Sequence, residues 1–278
     1  MQILNRYTNE IICEGNTAKS AVALAIKAQI DLFGADLSGA DLSGADLSGT
    51  NFCKADFQNA NLCGANLANA ELTGAYLLSA NLRWVNLCGA DLRLANLTDA
   101  DLTSADLTGA KLFSAELIRA NLHEIDLRGA DLTSTILCGA NLCGADLSVA
   151  DLRGADLRDA DLTGAKLFGT ILRWATLANV KLFGAFLCGA DLRGVDLKRV
   201  NLRRADLCGA YLTGANLTEA DLGFANLRKA DLRDANLCRA DLCAANLRYA
   251  DLTNADLTKT KLQGTNLTGA DITGVKGV

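Results

Sequence analysis

The chain has 278 residues, 50% apolar and 21% charged, with no proline, ten cysteines and a formal net charge of −5. Apolar content at this level excludes a disordered chain, and the negative balance disfavours a protein that holds nucleic acid by neutralising its backbone. No apolar run approaches the ~20 residues that a membrane span needs. The opening Met1-Gln2-Ile3-Leu4-Asn5-Arg6 lacks the charged-then-apolar pattern of an export signal. The chain therefore reads as cytoplasmic, where its cysteines are expected to stay reduced.

Residues 1–29 read as a separate N-terminal segment. Ile3-Leu4 and Ile11-Ile12-Cys13 form two short apolar runs around a turn at Tyr7-Thr8-Asn9, which predicts a hairpin. Asn16 or Thr17 is placed to cap a helix running to about Gln29. Ala18, Val22, Ala25 and Ile26 share its apolar face, positioned to cover Leu32 and Leu37 at the start of the adjoining repeat. A hairpin and helix here would act as a cap over an otherwise raw sheet edge.

Residues 30–274 are 49 consecutive five-residue units without insertion or deletion. No mixed α/β domain keeps one period for so long. Each unit has a centre, running from residue 32 to residue 272; it is Leu in all but Phe52, Phe57 and Ile272. Two residues before the centre stands Ala in 38 units, and two residues after it stands Gly in 22. The residue just before the centre is usually Asp or Asn. On an α-helix five residues turn about 500°, which scatters the Leu residues over every face. On a straight strand an odd period sends alternate Leu residues to opposite faces. The chain must therefore turn once per unit, with Ala and Leu inside and the Gly position at the corner. The Asp and Asn residues are expected to bond the local backbone.

Two stretches break the pattern. A weaker one holds Tyr76, Leu78 and Trp84. In the stronger, 165–189, the Asp/Asn position is taken in succession by Lys166, Ile171, Thr176, Lys181 and Phe186, with Phe168, Trp174 and Phe183 in other outward or corner positions. In a four-sided coil Phe168 and Phe186 would share one side in successive coils. Clustered exposed aromatic groups often mark partner sites, so Phe168, Ile171, Trp174, Phe183 and Phe186 are the candidate partner-binding residues. After Ile272 no helix follows, and residues 275–278 read as a tail.

Candidate chemistry is sparse. The single histidine, His123, faces outward without a Ser and Asp at triad spacing. Nine of the ten cysteines stand directly after a centre, a position that also takes Ser, Thr and Arg; Cys138/Cys143 and Cys238/Cys243 lie five apart, which is poor zinc geometry. No calcium loop or phosphate-binding glycine loop is present in the sequence. No catalytic, cofactor-binding or metal residues are assigned, and the chain reads as non-enzymatic.

Units such as Ala-Asp-Leu-Ser-Gly at 35–39 and 40–44 resemble the consensus of the pentapeptide-repeat family. The resemblance implies an all-β fold, a right-handed quadrilateral β-helix of about 12 coils with the hairpin-plus-helix cap at its start. It also implies that residues twenty apart stack about 4.8 Å from each other, which would bring Cys188 and Cys208 within disulfide reach. Some relatives inhibit or protect DNA gyrase by imitating DNA. Residues 1–150 carry 17 acids and 9 bases, and residues 151–278 carry 15 and 18, so the first half is the acidic one. Yet no side sums to a strongly acidic strip, and Arg153, Arg173 and Arg193 stand beside Asp131, Asp151 and Asp191. The sequence thus reads as a rod-like scaffold for an unidentified protein partner, with no nucleic acid and no membrane. A DNA-mimicking inhibitor or protector of DNA gyrase is the alternative. The uncapped last coil is expected to fray or to pair end to end in a homodimer.

Overall fold

The computed structural model describes residues 1–277; Val278, the last residue of the predicted tail, lies outside them. Its contacts fall into two units, Met1–Asn141 and Leu142–Val278. The first unit opens with an antiparallel hairpin of β1 (Gln2–Leu4) and β2 (Ile11–Glu14). Asn5 Oδ1 accepts the N–H groups of Tyr7 and Thr8, and Asn9 turns the chain at a φ of 59°. The helix α1 (Ala18–Lys27) comes next, capped by Thr17, whose hydroxyl accepts the Ser20 N–H while the Ser20 hydroxyl accepts the Thr17 N–H. This reciprocal pair satisfies two otherwise orphaned donors. The helix stops two residues short of Gln29, which adopts a φ of 57°. It buries Ala18, Ala21, Val22 and Ala25, whereas Ile26 is only half-buried, so the inner face is narrower and lined by smaller residues than its apolar pattern indicated.

The hairpin pairs onto the repeat. The Asp36 N–H donates to Leu4 O at 2.7 Å and the Arg6 N–H to Gly34 O at 2.9 Å. Arg6 also reaches Asp56 at 3.2 Å and stacks its guanidinium 4.0 Å over the Tyr76 ring. Tyr76, read from sequence as part of a weak partner cluster, is therefore engaged by the N-terminal segment.

In both units, bridges join residues before a centre to those twenty positions on, as in Asp36↔Asp56 of the first and Asp206↔Asn226 of the second. Four five-residue units thus complete one turn. Backbone accounting shows why the period is five. In residues 60–64, the Ala60 N–H closes a turn onto Phe57 O at 2.9 Å. The Asn61 N–H reaches back to Ala40 O, and the Leu62 and Gly64 N–H groups reach forward to Asn81 O and Arg83 O. The remaining donor, the Cys63 N–H, goes to Asn61 Oδ1 at 3.3 Å. All five donors are satisfied, as a partly buried backbone requires. Where Asp or Asn stands before the centre it is therefore structural, closing an Asx turn inside the repeat.

The corner residue has positive φ in every unit: 22 are Gly, and 27 are other residues at φ between 53° and 62°. A side chain in this left-handed region costs about 1–2 kcal/mol. The ladder on either side overrides that cost in more than half of the corners.

Inside, the Leu and Ala positions are almost wholly buried. In the first unit Phe52 and Phe57 replace Leu on adjacent sides and meet edge to face, with centroids 5.1 Å apart. Thr135 takes an Ala position and donates its hydroxyl to Leu132 O at 2.7 Å; in the second unit Thr170 donates to Leu147 O at 2.8 Å. These bonds remove the penalty of a buried unpaired hydroxyl. Towards the end of the second unit the core opens: Leu262 and Leu267 are half-buried and Ile272 is 52% exposed. Lys276 still continues the ladder, bridging Asp256.

A Cβ built at Gly39 meets open space, but the residue sits at a φ of 64°. Gly39→Ala is therefore expected to lower stability by about 1 kcal/mol through backbone strain alone, read as a shift of the urea midpoint at unchanged slope.

Candidate functional site

The five candidate residues all lie in the second unit. Phe168 and Phe186 come together on one side, with ring centroids 5.9 Å apart, as their spacing requires. The register places Ile171 on the following side, where it is half-buried and bridges Asp151 and Asp191. Trp174 stands at the corner after it, 68% exposed. Phe183 occupies the side before Phe186. Together they make a belt that winds over three sides rather than a flat patch. Each lost Asp or Asn also removes a side-chain oxygen acceptor from the local turn.

The belt runs into an open seam. Among the described residues, the N–H groups of Trp174, Leu177 and Asn179 reach no carbonyl on the next coil, and those of Asp196 and Asn201 reach none on the previous one. The bridge expected between Thr176 and Asp196 is missing. A recess of about 360 Å³ opens there, lined by Thr176, Asn179, Lys198 and Arg199 among others. The cause lies in the core. Val180 and Val200, twenty apart, both replace Ala, and Val195 replaces it in the unit before Val200. Overfilling a close-packed interior forces the backbone to move, and here it parts the coils on one side only. The sequence signal was three Val residues in the Ala position, two of them stacked.

Charged side chains obey a local rule. Each Arg that follows Asp-Leu folds back and clamps that Asp through two bonds, as in Asp91/Arg93, Asp126/Arg128, Asp151/Arg153, Asp156/Arg158, Asp191/Arg193 and Asp231/Arg233. The Arg233 clamp holds the Asp231 carboxyl down at about 2. Its stabilising effect is present above the ordinary value of 3.8 and is lost as pH falls through about 2. An Arg that follows Asn-Leu has no carboxylate in its own unit to clamp, though Arg83 reaches Asp101 at 4.0 Å and Arg203 reaches Asp221 at 3.9 Å on the next coil. Arg83 lies 4.7 Å over Trp84, Arg203 4.9 Å over Phe224, and Arg228 and Arg248 5.9 and 5.4 Å over Tyr249. Arg173, which follows Ile171, lies 4.5 Å over Trp174. Of the three stacked arginines read from sequence, Arg153 and Arg193 are thus neutralised, while Arg173 covers an aromatic ring.

His123 meets Glu124 at 3.7 Å, with 45% of its side chain exposed. Cys13 is buried and the other nine cysteines are half-buried. Burial, followed by the nearby Asp206 carboxylate, pushes the Cys188 thiol up to about 11. Among the described residues no group of three His, Cys, Asp or Glu side chains is placed to hold a metal ion, and no helix is long and apolar enough to cross a membrane.

The family model for pentapeptide repeats matches eight times between residues 30 and 274, and the chain belongs to that family. Its members fold as right-handed β-helices. Among solved structures, HetL from the cyanobacterium Nostoc sp. strain PCC 7120, a pentapeptide repeat protein involved in heterocyst differentiation regulation, is 38% identical, with 79% of this chain and 90% of that one covered and a TM-score of 0.48. QnrB1, a plasmid-mediated fluoroquinolone resistance protein, is 20% identical over 78% of this chain and 89% of its own, with a TM-score of 0.26. A pentapeptide repeat protein from the thylakoid lumen of Arabidopsis thaliana is 30% identical over 44% and 71%, with a TM-score of 0.20. No curated protein matches the chain.

Two outcomes are expected. Val180→Ala combined with Val200→Ala should close the seam, seen as slower amide hydrogen exchange at Leu177, Asn179 and Asp196. Unchanged exchange would mean that the Val pair does not hold the seam open. Alkylation of Cys188 by iodoacetamide should be slow at neutral pH and rise with pH towards about 11, because a raised thiol pKa leaves little thiolate below it.

Proposed function

We propose that the chain is a non-enzymatic protein-interaction scaffold whose main contact surface is the belt of Phe168, Ile171, Trp174, Phe183 and Phe186. The observation that carries this reading is the run of five units, centred on residues 167–187, that abandon Asp/Asn while placing aromatic groups outward. Trp174 stands exposed in a left-handed corner at a φ of 62°, where Gly would fit without strain. The cytoplasm is the proposed location. Residues 1–29 are proposed to close the first coil, the repeat at 30–274 to present the surface, and 275–278 to form the tail.

The belt favours a protein partner over DNA imitation. In the second unit the outward positions alternate Asp with Asn, Lys and aromatic residues, and several carboxylates are already clamped by Arg. A second contact, between two copies through the last coil, is part of the same proposal.

Phe168, Trp174 and Phe186 changed together to Ser should abolish capture of the partner from a lysate of the source cells while leaving the circular dichroism melt unchanged. Equal capture by the variant would overturn the belt as the site. The unaltered protein is expected to leave gyrase supercoiling unaffected; inhibition would favour DNA imitation instead. Sedimentation that shows one mass at every concentration would remove the copy-to-copy contact.

A further inference from the structure

We propose that the corner formed by Arg228, Lys229, Arg248 and Tyr249 is a docking site for an acidic, extended segment of another protein. It lies in the second unit and is separate from the aromatic belt, so the failure of either reading leaves the other standing. All four side chains are exposed. Residues twenty apart in the ladder are neighbours, so the stems of Arg228 and Arg248 stand about 4.8 Å apart along one side, with Lys229 at the adjoining corner. Among the described residues, none of the three cations meets a carboxylate. The reason is local. The residues before their centres are Asn226 and Asn246, not Asp, and the two amides are committed to the ladder: Asn246 Nδ2 donates to Asn226 Oδ1 at 3.1 Å, and Asn226 Nδ2 to Asp206 Oδ1 at 2.8 Å. Each Asn Oδ1 also accepts the N–H of the Arg two residues later. The guanidinium groups therefore lie beside the Tyr249 ring, and Arg248 donates to its hydroxyl at 3.4 Å. A stacked guanidinium keeps its edge donors free for a carboxylate.

The surroundings select the occupant. Asp231, Asp251 and Asp271 line the next side, just past the corner, and Arg233 clamps Asp231 and reaches Asp251 at 3.6 Å. The three cations thus form one narrow row, which matches an acidic strand along one side better than a broad nucleic-acid duplex. An extended peptide presents alternate side chains on one face, which suits two guanidinium groups and a neighbouring ammonium. The Tyr249 ring, packed over Gly269, supplies a flat surface beside them.

The test uses fluorescence anisotropy with the full chain and a labelled peptide alternating Glu with Ser. Binding is expected to weaken with added salt and to be absent for the matching Lys peptide. Asn226→Asp with Asn246→Asp should weaken it about tenfold, because each new carboxylate recreates the Asp-Leu-Arg clamp and neutralises its guanidinium without removing it. Arg228→Gln with Arg248→Gln should do the same, and Arg193→Gln, which removes a clamped Arg on another coil, should leave binding unchanged. Equal loss in Arg193→Gln, no loss in either double variant, no binding by the unaltered protein, or tighter binding of a single-stranded oligonucleotide through the same residues would each overturn the proposal.

Discussion

The register of the inter-coil ladder governs the rest of the molecule. In a regular unit such as 60–64, five backbone donors find five acceptors: two on the next coil, one on the previous coil, one across the turn and one on an Asp or Asn side chain. That arrangement closes only if the corner residue adopts positive φ, and it does so in every unit, whatever the side chain. The strain at 27 non-Gly corners persists because the bonds on either side leave no alternative path for the chain. Inside, Leu and Ala fill a cross-section whose size the backbone has already set, so the core tolerates little change in volume.

Two kinds of departure act on that constraint differently. Loss of Asp or Asn, as at Lys166 through Phe186, costs a local turn bond but leaves most of the ladder in place, since Lys166 and Phe186 still bridge. Extra volume in the Ala position reaches further. A single buried Val85 is accommodated, and the bonds around it form, whereas Val180 stacked on Val200 accompanies a parted ladder. The difference is that one bulky residue can be absorbed by smaller neighbours above and below, while two in succession meet each other.

On the outside, the same register turns the choice between Asp and Asn into a switch for the arginine two residues later. Asp-Leu-Arg closes on itself and contributes a neutral, solvated surface of small energetic weight. Asn-Leu-Arg lacks that clamp: Arg83 and Arg203 reach an Asp on the next coil at 4.0 and 3.9 Å, whereas Arg228 and Arg248 lie beside Tyr249 with no carboxylate partner among the described residues. Surface chemistry is thus written by one atom per repeat, without any change in backbone. A scaffold built this way can vary its surface from repeat to repeat while its fold stays constant.

Much of this was legible in the residues alone. The unbroken period of five, Leu at the centre and Gly at the corner determined that the chain must turn once per unit and bury one face, because neither a helix nor a flat strand gathers those Leu residues together. The hairpin at 2–14 and the helix cap near Thr17 also came from spacing, whereas the pairing of Phe168 with Phe186 rested on the four-sided coil that the family resemblance implied. Other features depended on contacts between residues twenty apart, which no local pattern displays. The capture of Tyr76 by Arg6, the parting of the seam beside Val180 and Val200, and the sorting of arginines into clamped and free are all of this kind. Local periodicity sets where a side chain points; only the stacked coils decide what stands above and below it, and whether its charge and volume are already answered.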